Sequence, residues 1–233
     1  MNPVLYRCGI AALEKISGVA VLSRPLDALA RIWGRHARLR TFLRWGNFDG
    51  VIDGGANVGE FARIVRSALP AADLICVEPH AGCAATLRAQ GFSTVEAALW
   101  HEKGRLSLTQ PSAETTSCTV VGEKSESSSS PIWEVAAERL DALPIRGNRL
   151  LLKLDLQGAE LSALAGMGAL WERTAAILLE VSFGKDGTYI PLSGLLAEKG
   201  FVEYSTTNEI EVGGRVVEAD KIWLRSDFIE STG

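Results

Sequence analysis

Cysteine is scarce and unpatterned in this chain: Cys8, Cys76, Cys83 and Cys118 form no C-x-x-C pair and share no zinc-ligand spacing with His36, His80 or His101. A disulfide framework and a structural zinc site are therefore not expected, and free buried thiols in a reducing cytoplasm are. Long apolar runs are also missing. The stretch Cys8 to Leu22 is interrupted by Glu14 and Lys15, which is wrong for a secretory core and too short to cross a bilayer. A soluble cytoplasmic protein is the expectation. Overall positive charge is lacking too, since the formal net charge is −4, and no nucleic-acid partner is expected for the surface as a whole. The deficit is uneven: Arg7, Lys15, Arg24, Arg31, Arg35, Arg38, Arg40 and Arg44 face only Glu14 and Asp27 in the first 45 residues, about +6 against about −10 for the rest. That asymmetry points to a partner or acceptor surface near the start of the chain.

Nearly half of the 233 residues are apolar, enough for one α/β domain with a substantial core. Residues 3 to 22 and 25 to 45 read as two helices divided at Arg24-Pro25, the second with Leu26, Leu29, Ile32, Trp33 and Phe42 interleaved with arginines. The expected organisation is a basic helical extension over 1–45 and a ligand-binding domain over 46–233. Such an extension serves either as a cap or oligomer contact, or as a dock for an acceptor or a membrane surface. From Asp49 onward, strands and helices alternate, which predicts a parallel sheet covered on both faces. The strands are expected at 50–54, 73–78, 93–99, 149–156 and 176–183, with 201–206 and 219–225 closing the sheet as a hairpin around Val212-Gly213-Gly214-Arg215. Shorter strands at 104–110 and 134–139 flank a polar stretch, Ser125 to Ser130, that cannot bury a core and reads as a surface loop.

The stretch Val51-Ile52-Asp53-Gly54-Gly55-Ala56-Asn57-Val58-Gly59-Glu60-Phe61 has the form of a buried strand, a glycine-rich turn and a helix start. Gly54, Gly55 and Gly59 with the small Ala56 allow a sharp turn and close approach of a ligand. Asp53 ends the strand, where open parallel sheets bind their ligands, and is expected to face the pocket. Neither glycine register completes G-x-G-x-x-G, and no lysine follows Gly59 to make a phosphate loop. A ligand without phosphates fits better, and S-adenosylmethionine (SAM) is the obvious one. Glu78, in Cys76-Val77-Glu78-Pro79-His80, ends the next strand at the ribose position. A ribose does not separate SAM from NAD, so an NAD(P)-binding oxidoreductase stays open on these residues, as does a non-catalytic SAM-binding or partner-binding module.

The glycine stretch, Glu78-Pro79 and Leu152-Lys153-Leu154-Asp155-Leu156-Gln157-Gly158-Ala159-Glu160-Leu161 together resemble the FkbM family of SAM-dependent methyltransferases. Ala97-Ala98-Leu99 with Gly104, Thr116-Ser117, Arg139-Leu140-Asp141 and Glu180 agree, so that the resemblance covers roughly residues 49 to 225. It implies a Rossmann-like class I methyltransferase fold: α/β, with a mostly parallel seven-stranded sheet, an antiparallel last strand and helices on both faces. It also implies SAM as cofactor and methyl transfer, commonly to a hydroxyl of a sugar, polyketide or similar metabolite. Gly54 stands where the family usually has an apolar residue, and Gln157 where it often has glutamate.

The expected cofactor contacts are Asp53, Gly54, Gly55, Ala56, Asn57, Gly59, Phe61, Glu78, Pro79, Ala97, Ala98 and Asp155. A hydroxyl acceptor must lose a proton, for which Asp155 is the first candidate base, His101 an alternative and Glu180 a helper. Asp155 could instead cap the helix expected from Gly158. Lys153, on an otherwise apolar strand, should have a carboxylate partner, with Glu180 or Glu160 as candidates, and serves an ion pair or the acceptor. No obligatory metal is expected, because Asp155 and Glu180 are too few ligands. The expected acceptor is a small molecule or glycan.

Overall fold

The computed structural model describes residues 36–109, 119–120 and 132–232. The helix expected over 3–22, part of that over 25–45, Thr116-Ser117 and the serine-rich stretch lie outside the described residues. Contacts divide the chain into Met1–Leu39 and Arg40–Gly233. Of the first unit only 36–39 is described, and it is helical. In the second unit, residues 40–46 are helical, with Phe42 and Leu43 buried and Arg40 and Arg44 exposed, the two-sided pattern of an amphipathic helix. Trp45 stacks on Tyr204 at 5.7 Å, and Phe42 meets Phe48 at 5.6 Å.

The first alternating run is β1 (Gly50–Gly54), α1 (Glu60–Ala68), β2 (Asp73–Val77), α2 (Ala81–Ala89) and β3 (Ser93–Val95). Next come four strands in succession, β4 (Ala98–Leu99), β5 (Gly104–Thr109), β6 (Thr119–Val120) and β7 (Ile132–Glu138). The chain then resumes with β8 (Leu150–Leu154), α3 (Glu160–Leu164), α4 (Leu170–Arg173), β9 (Thr174–Ser182), α5 (Tyr189–Glu198), β10 (Phe201–Val212), β11 (Arg215–Arg225) and α6 (Ser226–Thr232).

Seven strands form the main sheet in the order β10-β11-β9-β8-β1-β2-β3. Its neighbours from β3 to β9 are parallel, and β11 runs antiparallel between β9 and β10. This is the Rossmann-like α/β sheet expected, with the antiparallel strand in place. All five residues of β1 and all five of β8 are buried, as befits central strands covered on both faces. Gly213 and Gly214, at φ 59° and 75°, turn β10 into β11 as the two left-handed residues of a tight hairpin.

Three boundaries differ from expectation. The run 93–99 is not one strand: β3 pairs with β2, whereas β4 pairs with β7 in a separate sheet ordered β4-β7-β5-β6. A short apolar run carries no mark of which sheet it joins. The helix expected over 158–170 is two short helices, because Gly168 takes φ 46° and a Cβ at Gly166 would lie 2.7 Å from the Trp100 carbonyl oxygen. The closing hairpin is far longer than expected, 12 and 11 residues per strand, since exposed polar positions along it carry no core pattern.

Candidate active site

The glycine turn joins β1 to α1 over the carboxyl ends of the strands. Gly55 and Ala56 both donate backbone N–H groups to the Val77 carbonyl, and Asp155 donates its own to the Gly54 carbonyl. Gly55 has φ 66°, and a Cβ there would come within 1.9 Å of the Asp155 carbonyl oxygen, so the close approach of the two loops requires glycine. Glu78 secures the turn from the other side. Its Oε2 accepts from Asn57 N at 2.8 Å and its Oε1 from His80 N at 2.9 Å. Burial raises the Glu78 carboxyl above its ordinary value, and the two backbone donors act against that rise.

Beneath the turn lies a charge pair that faces no solvent. The register places Asp53 opposite Lys153, with the aspartate fully buried. Lys153 Nζ sits 3.1 Å from Asp53 Oδ1 and 3.7 Å from Asp155 Oδ2, and donates to the carbonyls of Gly54 at 3.1 Å and Gly55 at 2.8 Å. The partner of Lys153 is therefore Asp53, with Asp155 at longer range. Glu160 and Glu180, the expected partners, are engaged elsewhere. Among the described residues, neither Asp53 oxygen has an aligned hydrogen-bond donor. Burial pushes the Asp53 carboxyl up and Lys153 opposes it; burial alone would lower Lys153, but Asp53 and Asp155 outweigh it and hold the ammonium above its ordinary value.

Above the turn is a cavity of about 120 Å³, lined on one side by Gly55, Asn57, Glu78 and Pro79, on another by Asp155, Leu156 and Gln157, and on its apolar side by Ala97, Ala98, Leu99, Leu108 and Val120. Seven of the expected cofactor contacts thus line it: Gly55, Asn57, Glu78, Pro79, Ala97, Ala98 and Asp155. Asp53, Gly54, Ala56, Gly59 and Phe61 do not, so Asp53 supports the turn from below instead of facing the pocket. Leu108 and Val120 come from the small sheet, and no sequence signal shows that this sheet leans over the glycine turn.

On the opposite flank, Asp155 follows β8 directly and Glu180 lies near the carboxyl end of β9. Gln157, at φ 56°, donates from Nε2 to Asp155 Oδ1 at 3.0 Å and to Glu180 Oε2 at 2.8 Å. Glu180 is pushed up to about 8 by burial first, then by the negative charges of Asp155, Glu218, Asp220 and Glu160. Asp155 does not cap a helix. The helix from Glu160 has no side-chain cap, and Glu160 instead fastens the loop before it, with Oε1 accepting from Leu156 N at 2.8 Å and Gly158 N at 3.3 Å. His101 stays away from the cavity: its carbonyl accepts from Arg139 at 2.8 Å, and its ring lies 3.8 Å from Glu102. Of the four candidate catalytic residues, the fold brings Asp155, Glu180 and Lys153 together and leaves His101 outside. Among the described residues, no group of three or more His, Cys, Asp or Glu side chains is arranged to hold a metal, and no helix is long and apolar enough to cross a membrane.

A family model described as the Methyltransferase FkbM domain matches residues 53–203, more than half of the chain. No curated protein matches it. Among solved structures, methyltransferase FkbM from Methylobacillus flagellatus KT superposes with a TM-score of 0.48 at 14% identity, over 76% of this chain and 44% of that one. This chain thus spans under half the length of that protein. The SAM-bound magnesium protoporphyrin IX methyltransferase of Synechocystis PCC 6803 gives a TM-score of 0.47 at 11% identity, over 89% and 85%. Precorrin-6y C5,15-methyltransferase of Geobacter metallireducens GS-15 gives 0.45 at 13%, over 81% and 88%.

Proposed function

Because the chain belongs to the FkbM family of SAM-dependent methyltransferases, we propose that it methylates a hydroxyl group on a sugar, a polyketide or a related metabolite. The observation that carries this reading is a pair of carboxylates, Asp155, which lines the cavity, and Glu180 on β9, joined by Gln157, which also lines it. A hydroxyl is a poor nucleophile until its proton has somewhere to go.

The residues fit the cofactor. Glu78 presents a carboxylate already oriented by two backbone N–H groups, as a ribose diol requires, and Ala97, Ala98, Leu99 and Leu108 offer an apolar slot for a purine. Gly55 and Asn57 would border the amino-acid end. When bound, SAM supplies a methyl group on a cationic sulfur, which the acceptor oxygen displaces in line as a neutral thioether. The protein's part is to align oxygen and methyl group, to exclude water and to receive the proton. Alignment alone is worth on the order of 7–11 kcal/mol in favourable cases.

Glu180 suits the base role better than Asp155. Burial and four neighbouring carboxylates raise its basicity towards the working pH, whereas Asp155 faces the Lys153 ammonium. Lys153 holds the carbonyls of the glycine turn and so keeps Asp155 and the cofactor loop in register. The test is to incubate the protein with isotope-labelled SAM and a panel of sugars, glycans and polyketide alcohols, following label transfer and S-adenosylhomocysteine release. Transfer to a hydroxyl supports the proposal, and transfer only to amines or carbon acceptors sinks it.

A further inference from the structure

Gln157 is the least expected residue of the acceptor flank. Its backbone lies in the left-handed region at φ 56°, which glycine and asparagine occupy readily and glutamine seldom does. Gly158, the next residue, is also left-handed at φ 101°, so the loop turns away from β8 immediately and the Gln157 side chain is swung back across the strand ends. There its single amide nitrogen reaches two carboxylates from different strands: Asp155 Oδ1 at 3.0 Å and Glu180 Oε2 at 2.8 Å. An amide nitrogen has two hydrogens, so both bonds form at once. The bond from Gln157 falls on Oε2 of Glu180 and not on Oε1.

We propose that Gln157 is the positioning residue for proton removal, its amide clamping Asp155 and Glu180 side by side so that Glu180 is held by Oε2 and keeps Oε1 for the acceptor's proton. This rests on the hydroxyl-methylation reading for its purpose, although the clamp itself does not depend on the acceptor. In the transfer, the O–H bond breaks towards Glu180, the oxygen–methyl bond forms and the sulfur–methyl bond breaks. The proton ends on the carboxyl of Glu180, which must later return it to solvent.

The setting shows what a neutral clamp does in this chain. Glu180 lies on β9 opposite Asp220 of β11 in the antiparallel register, with Glu218 two residues along β11. Asp155 from β8 and Glu160 from α3 complete the negative surroundings, and Lys153 faces Asp53 and Asp155 below. A cation at position 157 would neutralise the base, and a third carboxylate beside it would repel both acids. Glutamine brings donors without charge. Donors to a carboxylate favour its charged form, so the clamp keeps the basicity of Glu180 from rising even further.

The test needs no acceptor. The side-chain carboxyl of Glu180 is titrated by carbon-13 NMR in the full chain, its resonance assigned by loss in Glu180→Gln. The same titration is run in Gln157→Met, which keeps length without donors, and in Gln157→Glu, which adds a charge. The expected midpoints rise in the order wild type, Gln157→Met, Gln157→Glu, with the first step roughly one pH unit. Once an acceptor is known, the acid limb of the pH–rate profile should move in the same order. Equal midpoints in all three proteins, or a downward step, would overturn the clamp. The wild-type midpoint judges the base assignment separately: a value in the ordinary glutamate range removes Glu180 as the base, while the differences between variants still decide the role of Gln157.

Discussion

Replacing Lys153 by methionine probes the buried charges on which the glycine turn rests. The ammonium sits 3.1 Å from a fully buried Asp53 whose oxygens, among the described residues, accept no aligned hydrogen bond, and it donates to the carbonyls of Gly54 and Gly55. Methionine fills the space but leaves the aspartate with no cation in contact. Removing one partner of a buried pair costs about 3–5 kcal/mol, because the other charge stays desolvated. With a urea slope of about 2 kcal/mol/M, the unfolding midpoint should fall by about 2 M. The sign of the pH dependence follows from Asp53. Its folded-state basicity, already raised by burial, rises further without Lys153. A raised carboxyl costs stability above its unfolded-state value, so the deficit of Lys153→Met should be larger at pH 8 than at pH 5, because the cost of the uncompensated charge falls as pH is lowered towards the raised value. Urea unfolding of wild type, Lys153→Met, Asp53→Asn and the double variant at both pH values forms the test. The double variant should recover at least half of the loss, since neither buried charge then remains. A single-variant cost below about 1 kcal/mol, or a deficit independent of pH, would refute the reasoning.

Glu78→Ala should weaken SAM by roughly 10- to 150-fold in calorimetry, the worth of a hydrogen bond to a charged group, and unchanged affinity would remove Glu78 from the cofactor site. Turnover on a hydroxyl acceptor should climb with pH through about 8, because the base acts only when deprotonated. Glu180→Gln should abolish that limb and lower turnover roughly 100- to 10,000-fold, and a variant as fast as wild type would dismiss the assignment. Gly55→Ala places a Cβ against the Asp155 carbonyl in a left-handed conformation, so its urea midpoint should drop by an amount worth about 1–3 kcal/mol. A midpoint equal to wild type would mean that the two loops separate at little cost.

Much of the main sheet was legible because its strands are apolar runs punctuated by glycine and acid, as in Val51 to Gly55 and Leu150 to Asp155. Glu78 was legible for the same reason, being the acid at a strand end. What failed to show depends on distance in sequence and not on local pattern. Asp53 and Lys153 are 100 residues apart, and only the pairing of β1 with β8 makes them neighbours. The apolar wall behaves likewise: Leu108 and Val120 belong to short strands whose pattern is satisfied equally by any sheet. Gln157 read only as a departure from a position that often has glutamate, since a side chain's role as a donor emerges only when its left-handed backbone aims it at two acids.

The step at Glu96-Ala97, where the chain leaves one sheet for another, sets how the cavity can be tuned. One wall hangs on the seven-stranded sheet and the other on the four-stranded one, and each sheet satisfies its own backbone hydrogen bonds. The two meet closely at Gly54, where a Cβ would stand 2.8 Å from Leu99 Cδ1 and 2.7 Å from Leu154 Cδ2. The absent side chain there acts as a spacer of zero thickness. Bulk at position 54 would act like a shim between two plates, widening the slot without altering any residue that lines it.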